Sequence, residues 1–295
     1  MDLDKSTMVI SDSKISLQEG YLESLKLARM HYENFPVISW LIPSELKKHV
    51  AIIYWFARTA DDFSDEGNFP DSERLTQLNN FESRLHSLIN NQPENNFEAA
   101  LRETILSRKI SPENLFKLLK AFKQDVVKKR YQNFNEVLDY CTNSANPVGR
   151  IILELFDIRN DDAIYFSDKI CTALQITNFI QDTKIDFQKG RIYYPADEMK
   201  NFEVNKEVFE LNRINPNLKK LIEFNVTRVQ DYFDEGKNIL AFLSGRLKYE
   251  IAWTINGGEK ILRKIRGVDF DVLSNRPYLT KVDYIKLLIK SLIIK

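Results

Sequence analysis

Two stretches of the chain, Tyr54 to Glu66 (YWFARTADDFSDE) and Gln175 to Asp186 (QITNFIQDTKID), each place two aspartates four residues apart beside an apolar run. At helical spacing, positions i and i+4 sit one above the other on the same face. Asp61 and Asp65 therefore form one carboxylate pair, and Asp182 and Asp186 another. Like charges on adjacent turns destabilise a helix by roughly a few tenths of a kcal/mol. One pair is tolerable on a solvated surface, but two pairs set in apolar helices ask for a counter-charge. Magnesium supplies it well, because it prefers carboxylate oxygen, keeps several waters and commonly completes its shell with substrate phosphate. The expectation is a helical fold in which two acidic faces hold a diphosphate through metal bridges.

A lone DxxxD carries little weight. Asp157 and Asp161 have the same spacing but fall in DIRNDDA, a polar turn between helices. The two chosen pairs have better surroundings. Asp61 follows the apolar run from Val50 to Ala57, and Asp182 follows Leu174, Ile176, Phe179 and Ile180. Gln175, Asn178, Asp182 and Asp186 share one helical stripe, so the polar groups converge. Arg58, three residues before Asp61, either neutralises these carboxylates or contacts phosphate directly.

The rest of the chain suits such a fold. Only nine glycines and nine prolines in 295 residues favour long helices over a turn-rich β architecture. Lysine plus arginine equals aspartate plus glutamate at 42 each, so no global basic field points to nucleic acid. Cys141 and Cys171 have no partner at metal-ligand spacing, which makes a reducing, cytoplasmic setting the default. No stretch reaches the roughly 18 apolar residues that span a bilayer. Oligomeric state is not fixed by any of these features.

Residues 1–14 read as a disordered leader and residues 15–295 as one all-α domain. Ser16 and Ser44 are expected caps of the first two helices, the second carrying the first acidic pair and ending near Gly67. Amphipathic helices follow over 71–90 and 97–109, and Ser111-Pro112 begins another that runs into DVVKKRY. Lys128, Lys129 and Arg130 there make a solvated basic turn or a diphosphate contact. Pro147 and Gly149 interrupt the helical pattern of 134–156, where Ser144, Ala145 and Gly149 permit close approach of a ligand or a neighbouring helix. The second acidic helix should run unbroken from about 162 to 188 and end at Gly190. Helices over about 216–243, 246–265 and 280–294 complete the chain. The last, DYIKLLIKSLIIK, reads as a helix docked on the core, with peripheral membrane contact at the inner face as the other reading.

At these residues the chain resembles the squalene and phytoene synthases, head-to-head prenyltransferases with an all-α isoprenoid-synthase fold built around a central cavity. The resemblance runs from about His31 to Tyr194, and more loosely to the C-terminus, and rests on YWFARTADDFSDEG and LQITNFIQDTKIDFQKGRIYYP, supported by YCTNSANPVG. It implies that Asp61, Asp65, Asp182 and Asp186 bind magnesium and substrate diphosphate, beside the amides Gln175 and Asn178. It implies diphosphate contacts for Arg58, Arg191 and Tyr193, and a lining role for His31, Phe35, Tyr54 and Tyr140. Val148 and Gly149 match the broken helix against which the prenyl chain lies. HYENFPV, ARTADD and WTINGGEKIL most resemble the bacterial branch that makes hydroxysqualene on the hopanoid route, which implies presqualene diphosphate as substrate and no NADPH. Rival readings are another product of the same family (presqualene diphosphate itself, squalene, dehydrosqualene or phytoene from farnesyl or geranylgeranyl diphosphate) and a non-catalytic lipid-binding or assembly protein of the same fold. A di-iron bundle would need Glu-x-x-His pairs, and none of the three histidines has a glutamate three residues before it.

Overall fold

The computed structural model describes residues 15–30 and 41–293, and every regular element among them is helical. The leader expected over residues 1–14 lies outside the described residues, as do His31 and Phe35. In chain order the helices are α1 (Leu17–Met30), α2 (Ser44–Asp65), α3 (Asp71–Ile89), α4 (Asn96–Ser107), α5 (Pro112–Val127), α6 (Phe134–Ser144) and α7 (Asn146–Leu155). They continue as α8 (Asp161–Gln181), α9 (Thr183–Gln188), α10 (Ala196–Asn201), α11 (Lys206–Glu210), α12 (Pro216–Gly236), α13 (Gly245–Gly267) and α14 (Lys281–Leu292), with a 3-10 turn over Lys237–Ala241.

Short polar side chains set several of the helix starts. Asn95, Asn133, Asn160 and Asn215 each accept a hydrogen bond from the backbone N–H three residues on, and Thr280 closes a reciprocal capping box with Asp283. Ser16 caps α1 by accepting from the Glu19 N–H at 3.3 Å. The other two expected serine caps are not made. Ser44 already lies in the first turn of α2, where its hydroxyl donates to Glu45, and Ser111 makes no side-chain bond. The Ser111 N–H itself donates to the carboxylate of Glu154, from α7, at 3.1 Å.

The unbroken second acidic helix also needs correction. Asp182 takes φ −100° and ψ 15°, which ends α8 and starts the short α9. Asp186 still donates its N–H to the Asp182 carbonyl at 2.8 Å, so the two carboxylates stay stacked across the break. The interruption near Pro147 falls at Ala145, with the proline in the first turn of α7, where its missing N–H costs nothing. A Cβ on Gly149 would lie 2.5 Å from both Cys171 Sγ and Ser167 Oγ, so this glycine admits α8 against α7.

Two apolar clusters form the interior. One joins α1, α2, α3, α4 and α5 through Phe56, Leu78, Leu101 and Leu115; the other joins α6, α8, α12 and α13 through Cys141, Ala173, Val229, Phe233 and Leu262. Ile152 and Phe156 at the end of α7 pack against both. A buried polar trio fastens α1 to α2 and α4: the Thr104 hydroxyl lies 2.9 Å from Tyr21 Oη and 2.8 Å from His49 Nδ1. Burial, with Arg108 and Lys48 nearby, holds the His49 pKa down to about 4, so that ring is neutral at pH 7.

The terminal helix docks, as expected. Leu287 is buried with Leu41 and Trp253, Asn256 donates to Ser291 at 3.0 Å, and Lys264 pairs with Asp283 at 2.6 Å. Its opposite face stays exposed and carries Val282, Ile285, Ile289 and Leu292. Among the described residues no helix is long and apolar enough to cross a membrane.

Candidate active site

Where the two clusters meet, the fold leaves open space. A cavity of about 460 Å3 is walled by Ile53, Tyr54 and Ala57 of α2, Val148 and Gly149 of α7, and apolar residues of α8 and α13. A second, of about 620 Å3, contains Gln175, Asn178, Gln181, Gly258, Arg276 and Tyr278 in its wall. Val148, Cys171, Leu174 and Thr254 belong to both walls, so the two spaces adjoin. The first is lined mainly by hydrocarbon and the second is more polar, a division suited to a ligand with a greasy body and a charged end.

The acidic pairs stand beside these cavities. Arg58, one turn beyond Tyr54, lies 3.4 Å from Asp61 and 2.7 Å from Asp62, so it is engaged with carboxylates, while its buried Nε has no hydrogen-bond partner among the described residues. Asp65 is held from the far acidic segment: Lys189 Nζ lies at 2.7 Å, and Arg191 grips it with Nη2 at 2.5 Å and Nη1 at 3.3 Å. Burial opposes ionisation of Asp65, but the hydrogen bonds from Arg191 and Lys189 outweigh it and hold its pKa down to about 2. Asp182 receives Arg276 Nε at 2.5 Å. Arg276 lies on the cavity wall with Asn178, which places Asp182 at its edge.

For the remaining members of the pairs the nearby cations, Arg58 for Asp61 and Arg191 for Asp186, do not outweigh burial and like charge. Burial, and then the neighbouring Asp65, raise the pKa of Asp61; burial, and then Asp182, push Asp186 up to about 7. These are crowded oxygens that a hard cation would stabilise. Among the described residues no group of three or more His, Cys, Asp or Glu side chains converges on a metal position. Each aspartate pair can therefore offer at most two carboxylates, a share that magnesium accepts when water and phosphate complete its octahedron. The donor set fits that ion.

Tyr140, expected to line the site, and Tyr193, expected to contact diphosphate, both lie outside the walls of the two large cavities. Tyr140 is buried behind the site and donates to Asp125 Oδ2 at 2.8 Å; Tyr193 stacks on Phe179 with ring centroids 3.6 Å apart and points its hydroxyl to Asp125 at 3.4 Å. Asp125, which both tyrosines meet, also accepts from Arg191 Nη2 through its main-chain carbonyl at 3.3 Å. Sequence reasoning missed Arg276 and Asp125. Arg276 has no local signal, whereas the acid in an apolar helix face, at FKQDVV, was a readable sign.

The profile of the squalene/phytoene synthase family matches residues 28–283 of this chain. A hydroxysqualene synthase of Rhodopseudomonas palustris is 31% identical over 257 residues, covering 86% of this chain and 85% of that protein. One from Sinorhizobium fredii is 30% identical over 80% of this chain and 81% of its own length. Among solved structures, the squalene synthase HpnC from Alicyclobacillus acidocaldarius superposes with a TM-score of 0.81 at 32% identity, covering 86% of this chain and 95% of that one.

Proposed function

The chain belongs to the squalene/phytoene synthase family, enzymes that act on prenyl diphosphates, and from that premise we propose that it is a hydroxysqualene synthase. It would ionise presqualene diphosphate, capture the cation with water and release diphosphate. The observation that carries the reading is the pair of acidic helix faces joined across Asp65 by Lys189 and Arg191, beside two adjoining cavities. The hydroxysqualene synthases cited above favour this product over the others of the family.

In this reading Asp61 and Asp65 on one side, and Asp182 and Asp186 on the other, would hold magnesium, which when bound offsets the charge growing on the diphosphate. Arg58 and Arg191 add fixed positive charge at the same end, and Asn178 and Gln175 orient polar groups along the α8 stripe. The apolar cavity around Tyr54, Val148 and Gly149 takes the prenyl chains and keeps bulk water from the cation. The Tyr54 face is a candidate for stabilising positive charge through its quadrupole.

Purified protein incubated with magnesium and presqualene diphosphate, without NADPH, should yield hydroxysqualene by mass spectrometry. Squalene formed only when NADPH is added would refute the assignment and indicate a squalene synthase. Condensation of farnesyl or geranylgeranyl diphosphate would move the step within the family.

Peripheral membrane contact is part of the same reading. The exposed stripe Val282, Ile285 and Ile289 on α14 is flanked by exposed Lys281, Lys286 and Lys290, a pattern that suits an anionic lipid surface. Ile285→Glu/Ile289→Glu should reduce co-sedimentation with phosphatidylglycerol vesicles several-fold relative to the unsubstituted protein. Equal co-sedimentation would rule out this face as the contact.

A further inference from the structure

Asp125, in the last turn of α5, is absent from the acidic pairs and touches neither large cavity, yet four donors converge on it. Its carboxylate, in a residue 8% exposed, accepts from Tyr140 at 2.8 Å and from Tyr193 at 3.4 Å. Its main-chain carbonyl accepts from Lys129 Nζ at 2.7 Å and from Arg191 Nη2 at 3.3 Å. The carbonyl end of a helix carries partial negative charge, and a carboxylate in the same turn adds a full one. Two cations are thereby held side by side where their mutual repulsion would otherwise part them.

The neighbouring basic residues are engaged differently. Lys128 pairs with Glu136 at 2.9 Å and lies over the Tyr131 ring, while Arg130 donates to the main-chain carbonyls of Lys129 and Gly190. Of the three consecutive basic residues, only Lys129 joins Arg191. Arg191 in turn spans the gap from Asp125 to Asp65, and its buried Nε has no hydrogen-bond partner among the described residues.

The geometry points to Asp125 as a positioning residue that fixes Lys129 and Arg191 together at the diphosphate end of the site. The inference rests on the prenyl-diphosphate reading above. In the ligand-free arrangement Arg191 neutralises Asp65. Were substrate and metal to take up Asp65, the guanidinium would turn from carboxylate to phosphate, and its bond to the Asp125 main-chain carbonyl would keep it within reach. Loss of the Asp125 charge leaves Arg191 committed to Asp65, where it competes with metal, and leaves Lys129 repelled toward solvent.

Calorimetric titration with magnesium and inorganic pyrophosphate tests this on the full chain. The unsubstituted protein should bind; Asp125→Asn, which leaves the main-chain carbonyl in place and removes the negative charge beside it, should weaken binding at least about tenfold, and Lys129→Gln should weaken it about threefold to tenfold. The double variant should bind about as weakly as Asp125→Asn alone, because Asp125 acts through Lys129 and Arg191. Unchanged affinity in a natively folded Asp125→Asn protein overturns the proposal, as do additive losses in the double variant. If Asp125→Asn fails to fold, unchanged affinity of Lys129→Gln overturns it. No binding by the unsubstituted protein defeats the diphosphate reading itself, an outcome separable from the failure of Asp125 alone.

Discussion

Asp61→Ala is expected to lower turnover of the prenyl diphosphate by at least about a hundredfold, the scale on which removal of one electrostatic stabiliser acts. Its melting temperature should be unchanged or higher. Both halves follow from the same crowding. The Asp61 carboxylate is disfavoured by burial and by Asp65 in the ligand-free fold, so its removal relieves repulsion while deleting a proposed cation ligand. Asp182→Ala should cost activity on the same scale. There Arg276 loses its partner at 2.5 Å, so a small fall in stability is expected. Steady-state kinetics in excess magnesium, with thermal unfolding alongside, measure both effects; an Asp61→Ala protein that turns over within threefold of the original would defeat the metal-diphosphate assignment.

Phe233→Ala should destabilise the fold by about 3–5 kcal/mol, the usual cost of emptying a well-packed aromatic site. Phe233 is fully buried on α12 between α8 and α13, and it presses on a glycine: a Cβ on Gly258 would lie 2.5 Å from its Cζ and 2.8 Å from Leu174 Cδ2. Leu174 belongs to both cavity walls and Gly258 to one, so the ring supports the wall from outside. Its loss should therefore reduce substrate affinity as well as stability. Urea unfolding gives the stability change, and a loss below about 1.5 kcal/mol would mean that the helices collapse into the void.

Much of this architecture was legible because it is local. Helix starts at Asn95, Asn133 and Asn160 follow from a side-chain oxygen reaching three residues forward, and the acidic pairs follow from one turn of helix. Ser44 and Ser111 show where local reading stops. Both have the right chemistry for a cap, but Pro43 starts α2 a residue early and the Asn114 N–H donates to the Ser111 main-chain carbonyl at 3.1 Å, with no side-chain cap bond there. The resemblance implied a lining role for Tyr140 and a diphosphate contact for Tyr193, whereas the structure turns both hydroxyls toward Asp125. A phenol buried beside a carboxylate finds its partner there, and no spacing in the chain announces that pairing.

By itself the sequence determined a helical fold, the stacking of Asp61 over Asp65 and of Asp182 near Asp186, and the shared stripe with Gln175 and Asn178. Periodicity settles these within one helix, since residues one turn apart have no choice of neighbour, and across the break at Asp182 the Asp186 N–H bond to the Asp182 carbonyl keeps the same spacing. Only the tertiary structure decided which charge answers which. Arg191 meets Asp65 across 126 residues and Arg276 meets Asp182 across 94. Coulomb attraction names no partner in a chain with as many cations as anions; the packing of α8 and α13 against the rest brings particular ones within reach.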